Sequence, residues 1–87
     1  MKIEEFLSSK VRIKILKLLY ELGELNIRRI CEKTRSNYAV VKSHLTIMEK
    51  LGLIQHRKYG RISLYSLNVD DLKVEAIKRL FETWQTK

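Results

Sequence analysis

Apolar side chains recur at three- and four-residue intervals through most of this chain and give way to two short strand-like runs only between residues 53 and 67. Ile3, Phe6 and Leu7 make a short amphipathic opening that closes near Ser8-Ser9, where either serine can cap the next helix. That second helix carries Val11, Ile15, Leu18 and Leu22 along one line with Leu16 and Leu19 beside it. It turns Arg12, Lys14 and Lys17 to solvent and stops at Gly23. Asn26 is placed to cap a third helix reaching about Thr34, with Leu25 before the cap and Ile30 at the fourth helical position as a hydrophobic staple.

Thr34-Arg35-Ser36 reads as a tight turn, after which Ser36 is expected to cap a fourth helix ended by Gly52. Val41, Leu45 and Met48 form its inward stripe. Tyr38, Lys42 and Thr46, flanked by Arg35 and Ser43, form an outward polar one. Runs from Leu53 to Lys58 and from Arg61 to Leu67 read as a β-hairpin turning at Tyr59-Gly60. Asn68 is expected to cap a last helix running to the C-terminus, with Asp71 as a capping-box acid and Leu67 and Leu72 as its staple. The predicted order is four helices, two strands and a helix in one domain over residues 1–87. This is a mainly α fold with a small β-hairpin, the winged helix-turn-helix.

Charge sharpens this picture. The chain carries a formal net charge of +8, and residues 28–61 hold nine Lys and Arg against Glu32 and Glu49. The surplus coincides with the outward helix stripe and the hairpin, the footprint expected for neutralising nucleic-acid phosphates. No apolar run reaches the length of a membrane span, and the N-terminus lacks the layout of a signal peptide, so a cytoplasmic protein is expected. Cys31 is the only cysteine, which excludes an internal disulfide. The sequence has no nucleophile with a paired base, no glycine-rich phosphate loop and no recognisable carboxylate pair, so an enzyme is not expected.

Candidate contacts follow from position. Tyr38, Lys42 and Ser43 lie where a recognition helix reaches base edges, with Thr46 one turn further and Arg35 flanking. Ser36 and Asn37 sit at the helix N-terminus, where backbone N–H groups suit a phosphate. Arg57, Lys58 and Arg61 can place cations on the backbone or in a narrow minor groove. His44 is expected to be a packed histidine with one satisfied nitrogen, and Cys31 a small buried hydrophobe. A chain this short buries only about 60–65% of its surface alone, so a partner subunit would add to its stability. The last-helix stripe Leu72, Ala76, Ile77, Leu80, Phe81 and Trp84, joined by Ile3 and Phe6, is the expected homodimer interface.

Several motifs carry a family resemblance over roughly residues 6–80. Ser8 to Leu16 looks like the helix opening S-x-x-x-R-L-x-I-L, Val41-Lys42-Ser43-His44-Leu45 like V-S-x-H-L, and Leu51-Gly52-Leu53-Ile54 like x-G-L-V. Gly60-Arg61 with Tyr65-Ser66-Leu67-Asn68 looks like the wing and exit G-R-x-x-x-Y-x-L-N. The chain thus resembles the ArsR-type winged-helix regulators. The resemblance implies a homodimeric repressor binding double-stranded operator DNA. Two half-sites about one helical turn, ~34 Å, apart would then form an imperfect palindrome.

The resemblance does not extend to metal sensing. Metal-sensing members use paired cysteines on the helix before the recognition helix, or His and carboxylate sets on the last one. This chain offers Cys31 alone in the first place and no histidine in the second, so no metal and no cofactor are expected. Lys10 stands where the family often has proline, and Lys42 where it often has serine, a change expected to alter the sequence read. A winged-helix protein-interaction adaptor or an architectural DNA-binding protein is the alternative from outside transcription regulation.

Overall fold

The computed structural model describes residues 1–85. They fold as α1 (Ile3–Leu7), α2 (Lys10–Leu22), β1 (Leu25–Asn26), α3 (Ile27–Thr34), α4 (Tyr38–Lys50), β2 (Ile54–Tyr59), β3 (Ile62–Leu67) and α5 (Leu72–Gln85). The expected extension of the last helix to the C-terminus falls at residues 86 and 87, outside the described residues. The observed order adds one element to the expected one. Leu25 and Asn26 pair with Tyr65 and Leu64, so the sheet has three antiparallel strands in the order β1-β3-β2. A two-residue strand has no periodicity to betray it, and Asn26 serves both the sheet and the α3 cap, its Oδ1 accepting from Arg29 N at 2.8 Å.

The core gathers Ile15, Leu16 and Leu19 from α2, Ile30 from α3, Val41, Leu45 and Met48 from α4, and Val74 from α5, all essentially fully buried. Each such side chain stabilises the fold by about 1.5–3 kcal/mol through burial. The inward stripe of α4 is therefore the one the spacing predicts. Gly52 follows α4 with φ +79°, and Leu53 N–H reaches back to the Met48 carbonyl while Gly52 N–H reaches Glu49, a Schellman closure. A Cβ at Gly52 would also lie 3.1 Å from the Asp71 carboxylate, so a larger residue would meet a tight contact as well as backbone strain.

The start of α5 departs from expectation. Asn68 does not cap it; its Nδ2 donates to the Gly52 carbonyl at 3.0 Å, tying the hairpin exit to the end of α4. Asp71 takes the capping role, its Oδ1 accepting from Lys73 N at 2.7 Å, and the Lys73 ammonium holds that carboxyl below its ordinary range. The expected Leu67–Leu72 staple does not form, because Leu67 is buried and Leu72 is 80% exposed. With the cap three residues later than expected, Leu72 opens the helix on its outer side.

Arg12 is the largest departure. It was expected in solvent but is 8% exposed, its Nε donating to the Phe6 carbonyl at 3.2 Å and its Nη2 to the Glu5 carbonyl at 2.9 Å, with the guanidinium 5.4 Å over the Phe6 ring. Arg12, Leu16 and Leu19 share one helical stripe, so position placed it inward. The last carbonyls of α1 satisfy its charge there. Leu22, counted on the apolar line, is half exposed at the end of α2.

His44 packs as expected, but the hydrogen bond expected for a ring nitrogen is missing at Nδ1, which is buried without a partner. Burial first, and the Arg12 charge second, hold its imidazole below the ordinary histidine value. In the unfolded chain the ring titrates near about 6.5. Just below that pH the unfolded state binds the extra proton, so stability is full above the window and falls as pH drops through it. The urea midpoint is expected to decline as pH drops below about 6.5. His44→Gln should flatten that decline, and an unchanged slope in the variant would show that His44 is not its source.

Candidate nucleic-acid interface

The joint between α3 and α4 is set by Arg35, the one non-glycine among the described residues with a left-handed backbone, φ 55°. Its N–H and that of Ser36 both donate to the Cys31 carbonyl, which turns the chain sharply and lets α4 pack on α3. Spending residue 35 on this turn starts the next helix one residue later than expected. The cap is Asn37, whose Oδ1 accepts from Val40 N at 2.9 Å, and not Ser36, whose Oγ donates back to the Thr34 carbonyl at 3.4 Å.

Beyond the cap, Tyr38, Lys42 and Thr46 stand one turn apart on the exposed face of α4, with Ser43 beside them, and Arg35 and Asn37 are exposed at its N-terminal end. Ser36 is half-buried. Tyr38 is 60% exposed, and Val40 is exposed near it. Thr46 Oγ1 donates to the Lys42 carbonyl at 2.9 Å, which leaves its oxygen lone pairs as the outward chemistry. The stripe thus presents an aromatic hydroxyl, an ammonium and two smaller hydroxyls along the groove-sized face of a helix.

The hairpin turns one residue later than expected. Tyr59 pairs with Ile62, so the turn is Gly60-Arg61, with positive φ at Gly60 alone (62°), the pattern of a type II′ turn. Arg61 is consequently a turn-tip residue. The register also separates the three expected cations. Lys58 shares its face with His56 and Tyr65, whereas Arg57 lies on the opposite face with Tyr59 and Ile62. The Tyr59 hydroxyl first, and the Glu24 charge more weakly, raise the pKa of the Arg57 guanidinium. All three cations are exposed.

One group of side chains was not visible from spacing along α4. Tyr65, 3% exposed, accepts a hydrogen bond from the Lys42 ammonium, Nζ to Oη at 3.2 Å, and this contact raises the lysine pKa. His56, directly across the hairpin, sets its ring 5.1 Å from that of Tyr65, and its Nδ1 lies 2.9 Å from the Glu49 carboxylate. The hairpin register carried the signal, since it places residues 56 and 65 opposite each other.

Away from this face, α1 and α5 border an apolar groove of about 340 Å³ whose floor is Leu16, Leu51, Leu53 and Ile13. Ile3, Ala76, Ile77, Leu80 and Phe81 form its walls with Met1 and Leu7. Ile3, Leu80 and Trp84 are 72%, 52% and 83% exposed. Phe6 is buried within the single chain, beneath Arg12, and Phe81 leans on Tyr20 with ring centroids 5.5 Å apart. Cys31 is half-buried against the core, and among the described residues no three His, Cys, Asp or Glu side chains converge as a metal set. No helix among them is long and apolar enough to cross a membrane.

Comparison with known proteins agrees with this geometry. A family model described as bacterial regulatory protein, arsR family, matches residues 9–56. An uncharacterized HTH-type transcriptional regulator of Methanocaldococcus jannaschii is 35% identical over 71 residues, covering 82% of this chain and 79% of its own. The arsenical resistance operon repressor of Escherichia coli K12 is 30% identical over 81 residues, covering 93% and 68%. Among solved structures, reduced HlyU of Vibrio cholerae superposes with a TM-score of 0.80 at 20% identity, over 98% of this chain and 86% of that one. A homodimeric winged helix-turn-helix DNA-binding domain from Mycobacterium bovis gives 0.74 at 24% identity, over 92% and 71%.

Proposed function

Because this chain belongs to the arsR family of bacterial regulatory proteins, and is a DNA-binding winged-helix transcription regulator and not an enzyme, we propose that it is a homodimeric repressor occupying a palindromic operator. The observation that carries this reading is the two-faced α4. Val41, Leu45 and Met48 are fully buried on one side, and Tyr38, Lys42 and Thr46 are exposed on the other, beside a hairpin bearing Arg57, Lys58 and Arg61. In this reading Tyr38, Lys42 and Ser43 meet base edges in the major groove, with Thr46 at the far end of the contact. Arg35, Ser36 and Asn37 hold phosphate at the helix N-terminus, and the wing cations lie on the backbone or in the minor groove.

The second copy lies along α5 and the N-terminal segment. Ile3, Leu72, Ala76, Leu80 and Trp84 are exposed there on one chain, with Phe6, Ile77 and Phe81 packed behind them. A homodimeric relative of the same fold and a relative named as an operon repressor support the assembly and the sign of regulation. Selection of genomic fragments by the purified protein, followed by footprinting, is expected to return an imperfect palindrome with half-sites about 34 Å apart. Enrichment of no sequence would replace the operator by an adaptor role.

Reading and holding are separable in this scheme. Lys42→Ala should cost about 1–3 kcal/mol on the operator and relax discrimination, while Arg61→Ala should weaken all duplexes evenly and flatten the salt dependence. Titrations of both variants on operator and scrambled DNA at several salt concentrations test it. Equal, sequence-independent losses would sink the division.

A further inference from the structure

Lys42 is not a free surface lysine, and the group that holds it belongs to the wing. Tyr65 is a core residue on β3 whose only polar side-chain atom faces α4, and its partner there is the Lys42 ammonium at 3.2 Å, with Nζ 5.9 Å from the ring centroid. The ring cannot easily swing away. His56 lies against it at 5.1 Å, and His56 Nδ1 is tied at 2.9 Å to Glu49, near the C-terminal end of the same helix that carries Lys42. A neutral imidazole with its proton on Nδ1 can also donate to that carboxylate, more weakly than an imidazolium does, so the tie exists in either charge state of His56. The chain of contacts leaves α4 at Glu49, crosses both wing strands and returns to α4 at Lys42.

We propose that Tyr65 is a positioning residue for operator reading, its hydroxyl fixing the Lys42 ammonium on the groove side of α4 before DNA arrives. The inference rests on the operator reading above. An ammonium has three N–H donors, and the tether to Tyr65 uses one, leaving two for guanine O6 and N7. A lysine already ordered in the free protein loses less rotamer freedom on binding, and one held at a fixed point discriminates between base edges that a mobile one would serve alike. The buried ring itself needs no lysine for packing, so removing only the hydroxyl separates the two roles.

The test uses the full chain and duplexes carrying either the enriched operator or a scrambled sequence, with wild type, Lys42→Ala, Tyr65→Phe and the double variant. Tyr65→Phe is expected to lower the operator-to-scrambled affinity ratio by about 3- to 10-fold, to leave scrambled-duplex affinity and the salt slope unchanged, and to have no further effect once Lys42 is alanine. Proton exchange of the Lys42 ammonium, followed by nitrogen NMR in the free protein, should be slowed relative to other lysines and return to their range in Tyr65→Phe. This second measurement needs no DNA and reports on the tether even if the variant is less stable.

A Tyr65→Phe loss that is the same on both duplexes, or that persists in the Lys42→Ala background, would overturn positioning and leave a merely structural tyrosine. Unslowed exchange in wild type would overturn it as well. A Lys42→Ala protein with full discrimination would remove the base-reading role itself, a failure distinct from that of the tether.

Discussion

Leu80→Asp is expected to turn the protein into a monomer at micromolar concentration and to abolish tight operator binding. The side chain sits on the wall of the α1–α5 groove, 52% exposed in the single chain, so the substitution places a carboxylate in water for the monomer but against apolar surface in the proposed dimer. Burying a leucine is worth about 1.5–3 kcal/mol, and an unpaired charge in its place adds a desolvation cost that exceeds the contact it replaces. A symmetric interface suffers the change twice.

The functional effect is larger still, because a single recognition helix reads few base pairs and one half-site competes poorly with non-specific DNA. Operator affinity should fall by about two orders of magnitude or more, while weak, strongly salt-dependent binding to any duplex survives on the intact helix and wing. Sedimentation of both proteins with titration on the same operator decides it. A monomeric wild type, or a dimeric variant with unchanged affinity, would refute this placement of the interface.

The architecture was legible in the sequence wherever one physical requirement dominated. Val41, Leu45 and Met48 had no role except burial, and Asn26 was the side chain able to cap α3; each appears in that role, and of the two serines that could cap α2 it is Ser9 that does so. Legibility failed where two residues of similar chemistry competed. Ser36 and Asn37 both make good caps, and the left-handed Arg35 decided between them. Asn68 and Asp71 both suit a helix start, and the Asn68 amide was claimed instead by the Gly52 carbonyl, a partner far away in sequence. The candidate DNA-facing side chains on α4 followed from its periodicity, but what holds Lys42 did not, because Tyr65 reaches it across a hairpin whose turn lies one residue later than the glycine alone suggests.

Arg12 is the case in which residue type and position conflicted, and its replacement should have the largest effect on stability. The guanidinium is the C-terminal clamp of α1, donating to the carbonyls of Glu5 and Phe6 from a site only 8% exposed. Arg12→Ala removes two charge-assisted hydrogen bonds and the packing on Phe6, while Ser8 still donates to the Glu5 carbonyl, at a combined cost of about 2–4 kcal/mol. For a domain of this size that is a drop of roughly 10–20 °C in Tm. Arg12→Lys should fall between, since one ammonium cannot reproduce the forked geometry.

The damage should also be local. Released at its C-terminus, α1 exchanges its amide protons faster, and it takes Ile3 and Leu7 away from the groove walls, so dimerisation weakens along with the fold. The loss of the neighbouring cation should bring His44 back toward its ordinary value, which reduces the fall in stability below about pH 6.5. Urea unfolding at fixed protein concentration and two pH values, with hydrogen exchange on α1, measures all three effects. An Arg12→Ala protein within about 0.5 kcal/mol of wild type, with α1 protection intact, would show that the arginine is carried by its surroundings and does not hold them together.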